Sequence, residues 1–209
     1  MVKLDKLRFV CTRCGNCCTD KNTIVNVTYL DIMRIIKRLK LNFAESLELF
    51  GFYVYEKSLT SHILEKMVIS PIKTEKGFAF IGLLKNNQGI CCFYDQRNKK
   101  CLIYELRPIF CRSFPFTFCI SEINENTVKE EFDILYTEKA KKYCEGIGSD
   151  APLIDIDQQI ELGRNIIEDL KKNHIFNEDW NTMVSNKQIS PSAKNFLKKI
   201  FDMIDTDII

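Results

Sequence analysis

The stretch CTRCGNCC, residues 11–18, constrains this chain more than any other feature. It crowds Cys11, Cys14, Cys17 and Cys18 into eight positions. Free thiols this close together are an oxidation hazard, so the pattern calls for a metal that holds them or a chemistry that uses them. The first residues, MVKLDKLRFV, carry charges and lack the apolar run of a signal peptide. The chain is therefore expected in the cytoplasm, a reducing compartment where a disulfide framework is not expected. In that setting closely spaced cysteines point to metal ligation.

Cys11-x2-Cys14-x2-Cys17 makes a three-point claw, and Gly15 removes a Cβ where the backbone must wrap closely. Such runs recur in iron–sulfur ligation, with a fourth cysteine supplied from elsewhere. Zinc also accepts four cysteines, but more often from two separated C-x2-C pairs. The balance favours an iron–sulfur cluster, [4Fe–4S] as the leading form, with zinc as the alternative. The remaining cysteines are Cys91, Cys92, Cys101, Cys111, Cys119 and Cys144. Cys11, Cys14, Cys17, Cys18, Cys91, Cys101, Cys111 and Cys144 are the candidate metal ligands. Eight thiolates suit two four-coordinate sites or one larger polynuclear site, and spacing alone does not choose. Cys119 fits an incidental strand cysteine, and Cys92 is the weaker half of a vicinal pair. Arg107 and Arg112, which bracket Cys111, are candidate cofactor-binding residues that offset the negative charge of a thiolate site.

Apolar periodicity outlines the rest. Thr28 with Asp31 three positions on marks a helix N-terminus, and Ile32, Ile35, Ile36 and Leu39 give it an apolar face. Helices are expected over 28–41 and 42–51, with a further short one around Leu59 to Met67. Two hairpins are expected, one turning at Asn86-Asn87 and one at 124–126. A short helix over 137–144 ends at Cys144. Three helical patterns follow, marked by Ile156 to Leu170, by Trp180 with Met183, and by Phe196 to Ile204. These elements predict an α+β fold: a small antiparallel sheet built from the two hairpins, packed helices, and cysteine-rich metal-binding loops gathered at one end. The cysteines stop at 144, so a cysteine-cluster domain is expected over 1–148 and a helical C-terminal region packed on it over 149–209.

Three stretches carry a family resemblance. FVCTRCGNCC follows F-x-C-x-x-C-G-x-C-C, CLIYELRPIFCRSFP follows C-x-I-Y-E-x-R-P-x-x-C-R-x-F-P, and CEGIG follows C-x-G-I-G, with Glu145 where proline often stands. Cys91 with Phe93 matches the C-x-F that precedes the central motif. The chain resembles the YkgJ-type cysteine-cluster family, the CxxCxxCC zinc- or iron-chelating domain, from about Phe9 to Gly148. Cys92 and Cys119 depart from its usual pattern. The resemblance implies metal binding, as an iron–sulfur cluster or zinc, and no settled reaction. A flagellin lysine methylase is similar to a distant user of the same pattern, so a metal-dependent protein-modifying enzyme stands beside the two binding readings.

The leading functional expectation is an iron–sulfur protein in electron transfer, in metal-cluster delivery, or as a subunit of a maturation complex. The first alternative is a zinc-stapled interaction module. Whether the chain is an enzyme is left open by its residues. A net charge of +2 gives no footprint for nucleic acid. No stretch approaches the roughly 18 apolar residues of a membrane span. The expected partner is another protein, with neither nucleic acid nor membrane. His62 and His174 are the only histidines and stand in no ligand spacing.

Overall fold

The structure is a computed structural model that describes residues 7–55, 67–123 and 129–206. Its fold is α+β, with seven helices and small antiparallel sheets among the described residues. The helix expected at Leu59 to Met67 lies, but for its last residue, outside them.

Helix α1, Asn16–Thr19, is a single turn inside the cysteine motif. Helix α2, Tyr29–Leu39, begins as the sequence foretells. The Thr28 hydroxyl accepts from the Asp31 backbone N–H, and the Asp31 carboxylate accepts from the Thr28 N–H. Such a reciprocal cap contributes about 1 kcal/mol. Ile32, Met33, Ile35 and Ile36 are buried beneath it, while Leu39 is left 39% exposed at the frayed end. Helix α3, Phe43–Leu47, opens with a second capping box, Asn42 with Glu45. It is shorter than expected. Phe50–Val54 is not its continuation but strand β1, where aromatic residues around Gly51 favour the extended chain.

Strand β1 pairs with β3, Gly77–Leu83, which pairs on its other side with β2, Ile72–Thr74. The strand at 77–83 was expected to fold back onto 90–95 through Asn86-Asn87. The turn does form, with the Asn86 N–H donating to Ile90 O at 2.9 Å, but it leads only to an isolated bridge between Lys85 and Cys91. The Cys91 N–H instead donates to Cys18 O in the cysteine motif, while the Cys92 N–H donates to Leu84 O. Strand β4, Tyr94–Asp95, pairs with β5, Lys100–Cys101. Strands β6, Phe116–Ile123, and β7, Lys129–Tyr136, pair antiparallel as the second hairpin requires, and its expected turn at 124–126 lies outside the described residues. Among the described residues there are three separate sheets, so no single sheet is built from the two hairpins.

Helix α4, Ile109–Ser113, carries Cys111, and helix α5, Glu138–Tyr143, ends at Cys144. Helix α6 runs unbroken from Ile156 to Ser185, merging two expected helices. Its buried face includes Asn173, Asn177 and Asn181. Asn177 Nδ2 donates to Ser70 O at 2.7 Å, Asn181 Nδ2 to Pro71 O at 3.1 Å, and the Lys73 N–H donates to Asn181 Oδ1 at 2.7 Å. These amides satisfy the free edge of β2, which would otherwise carry unpaired backbone groups. Trp180, fully buried, donates from Nε1 to Lys73 O at 2.9 Å. Helix α7, Ala193–Asp205, buries Phe196, Leu197 and Ile200. Both C-terminal helices contribute to the core shared by α2 and the three-stranded sheet. A smaller cluster of Leu7, Phe116, Phe132 and Ile134 packs under the β6–β7 hairpin.

Candidate metal centre

The cysteine motif turns sharply at Gly15, which has φ 85° and precedes α1. The N–H groups of Cys18 and Thr19 both donate to Gly15 O. A Cβ at Gly15 would fall 2.0 Å from the Tyr94 hydroxyl. Both the left-handed backbone and the close approach of β4 therefore require glycine.

The chain before the motif is tied to the loop after α5. The Val10 N–H donates to Gly146 O at 3.1 Å, and the Phe9 N–H to Pro152 O at 3.1 Å. A Cβ at Gly146 would lie 2.2 Å from Val10 O, which gives the first glycine of CEGIG its reason. Asn16 closes the junction, donating from Nδ2 to Tyr143 O and Glu145 Oε1, each at 3.1 Å. These bonds hold the neighbours of Cys144 against the claw.

A second set of contacts gathers the central cysteines. The Cys91 N–H donates to Cys18 O at 2.9 Å. Tyr94 on β4 faces Cys101 on β5. The start of α4 is held by Asp31 of α2, whose Oδ1 accepts from the Ile109 N–H at 3.1 Å. The same carboxylate accepts from the Arg34 guanidinium and the Thr28 hydroxyl. Burial pushes its pKa up, and the Arg34 charge opposes that rise.

The eight cysteines named as candidate ligands all line one cavity of about 460 Å³. Cys92 and Cys119 do not line it. Cys92 is exposed, with its sulfur 4.0 Å from Leu49 O, and Cys119 is exposed on β6. Among the described residues no three Cys, His, Asp or Glu side chains close on a point tightly enough to hold an ion as they stand. The thiols line the cavity wall. The donor set suits thiolate ligation. The Cys17 and Cys18 sulfurs lie 4.0 Å apart, where either thiol can donate, and this contact lowers Cys17 to about 7 while it raises Cys18. Cys91 is likewise lowered to about 7 by the Cys92 thiol. Burial pushes Cys111 far up, and the neighbouring Cys17, Cys91 and Cys101 add to it.

The two candidate arginines part company. Arg107 lines the cavity, and its charge favours the thiolates of Cys17, Cys101 and Cys111. Its guanidinium stacks 3.7 Å from the Tyr104 ring centroid, and its Nε donates to Tyr104 O at 2.8 Å. Arg112 is not among the lining residues. It is half-buried beside Asp31, Arg34 and Asp169, and its Nε finds no hydrogen-bond partner. Arg107 lies four residues before Cys111, ahead of α4, and Arg112 one residue after it, inside α4, so sequence nearness to Cys111 gave them no common direction. Three further lining residues were not singled out beforehand. Arg13 stacks 4.3 Å from the same Tyr104 ring, Tyr94 packs on Gly15, and Lys139 forms an ion pair with Asp20 at 2.6 Å. Only Arg13, inside the cysteine motif, had a sequence signal. No described helix is long and apolar enough to cross a membrane.

Comparison with known proteins agrees with the site. A family model described as "CxxCxxCC: Putative zinc- or iron-chelating domain" matches residues 10–145. The chain is 29% identical over 146 residues to the uncharacterized protein MJ0661 of Methanocaldococcus jannaschii, an alignment covering 70% of this chain and 62% of that protein. The chain thus spans under two thirds of that relative's length. No solved structure matches it. The matched region runs from the residue before Cys11 to the residue after Cys144, the span that supplies every cavity-lining cysteine. The chain belongs to the CxxCxxCC family of zinc- or iron-chelating domains.

Proposed function

We propose that this chain is an iron–sulfur protein that passes electrons or a metal cluster to a protein partner. The observation that carries the reading is the gathering of eight thiols around one cavity, with the two cysteines outside the motifs left out. A donor set made of thiols suits iron–sulfur ligation. Such a cluster supplies one-electron redox chemistry when bound. Cys11 and Cys17 are exposed, so the site reaches the surface, where a partner can approach it. Arg107 and Arg13 bring positive charge beside the thiolates, which offsets the negative charge of a thiolate-bound centre.

The test is iron, zinc and acid-labile sulfide per chain after purification without oxygen, together with the visible spectrum. Iron matched by sulfide, in brown protein, is the expected result. Colourless protein holding zinc alone would replace this reading with a zinc-stapled interaction module.

A further inference from the structure

We infer that the eight thiols form two separate four-cysteine centres: an outer one of Cys11, Cys14, Cys17 and Cys144, and an inner one of Cys18, Cys91, Cys101 and Cys111. The inference rests on the proposed function only in taking these thiols as ligands.

The hydrophobic core draws the line. Cys91 is buried within the main core cluster, and Cys18, Cys101 and Cys111 pack against it. Cys11, Cys14, Cys17 and Cys144 take no part in that cluster. The backbone draws the same line. Val10, just before the claw, and Asn16, within it, bond to Gly146 and to Tyr143 and Glu145, which flank Cys144. On the inner side Cys91 bonds directly to Cys18, the Tyr94 N–H donates to Cys91 O at 2.9 Å, and Tyr94 pairs with Cys101. Cys111 joins them from α4.

The vicinal pair supplies the branch point. Cys17 and Cys18 sit side by side on α1 with their sulfurs 4.0 Å apart, so the two centres adjoin at this pair. Four thiolates complete a tetrahedral zinc site or a [4Fe–4S] cluster, so neither centre needs a ligand from outside the set. The outer centre is nearer solvent and should surrender its metal first.

The test uses the full chain, purified without oxygen, as wild type and as C14S, C144S, C101S, C14S/C144S and C14S/C101S. Metal and sulfide per chain are measured by elemental analysis and native mass spectrometry. Each single variant is expected to lose about half the wild-type metal, since one four-thiolate site is disabled in each. The same-side pair C14S/C144S should lose no more than a single variant, and the cross pair C14S/C101S should lose all of it. One polynuclear centre would instead be emptied by any single substitution, and that outcome overturns the inference. If C101S fails to fold, as judged by circular dichroism, C14S, C144S and their pair still separate half loss from total loss. The kind of metal is read independently of the division. Zinc falling from two ions to one in each single variant would overturn the iron–sulfur reading and uphold the two centres. Full metal retention in every variant would overturn both.

Discussion

Gly146 has no room for a side chain. A methyl group there would collide with Val10 O, a backbone atom that cannot swing aside, and with the Phe9 ring. Gly146→Ala is expected to cost about 1–3 kcal/mol through overpacking and to reduce metal content by displacing the loop after Cys144. Urea denaturation of the metal-free chain and metal analysis of the loaded one check the two effects. Gly148, with nothing within 4 Å of its would-be Cβ, is the neutral control. At this scale the motif was legible because each of its residues has a local reason. Gly15 has its left-handed backbone, and Cys11, Cys14 and Cys17 have their spacing. The direction of an arginine side chain is not local in this sense. Arg107 turns to the cavity and Arg112 to Asp31, although both flank the same cysteine.

At the scale of elements, Asp31 joins two helices. It caps α2 and also accepts from the first backbone N–H of α4, so it orients the helix that carries Cys111. Asp31→Ala would leave buried donors without acceptors and Arg34 without its partner, at an expected cost of about 2–4 kcal/mol by urea denaturation. A second tie runs from the segment after α1 to α5. Lys139 and Thr23 both donate to Asp20 and hold its carboxyl well below the usual carboxylate range. A lowered folded-state pKa means that the pair's contribution is complete above the unfolded value, about pH 4. It is lost as pH falls below that value toward the folded one. Lys139→Ala is therefore expected to flatten the acid limb of a stability–pH curve, with the loss of stability seen at pH 7 shrinking steadily as pH falls below about 4. Two elements escaped sequence analysis for identifiable reasons. Asn173, Asn177 and Asn181 interrupt the apolar period of α6, so one helix looked like two, yet these asparagines lie on its buried face, where Asn173 accepts from the Tyr29 N–H and Asn177 and Asn181 bond to residues 70–73. Strand β1 follows a capped helix with no breaker but Gly51, and only its pairing with β3 shows it to be extended.

Across the whole molecule the C-terminal helices and the sheet share one core. Trp180 is the sole tryptophan, fully buried and bonded to β2 at Lys73 O. Phe196 packs edge-on against it, with ring centroids 5.1 Å apart. Unfolding of the metal-free chain in urea, followed by Trp180 fluorescence and by far-ultraviolet circular dichroism, is expected to give coincident curves. Two separated transitions would make the helical region an independent unit. Trp180→Ala is expected to cost about 3–5 kcal/mol, with both probes shifting together.

What the amino-acid sequence determined by itself is the chemistry. The number and spacing of thiols, the glycine that lets them turn, and the capping boxes of α2 and α3 all act within a few residues, where covalent geometry governs. What only the tertiary structure decided is which thiols meet. Cys18 joins the cavity while Cys92 and Cys119 do not, and Cys144 comes to the claw through Val10 and Asn16. Those outcomes depend on hydrogen bonds and packing between segments far apart in the chain, and on which face of each element the core buries. No local pattern in the chain records either.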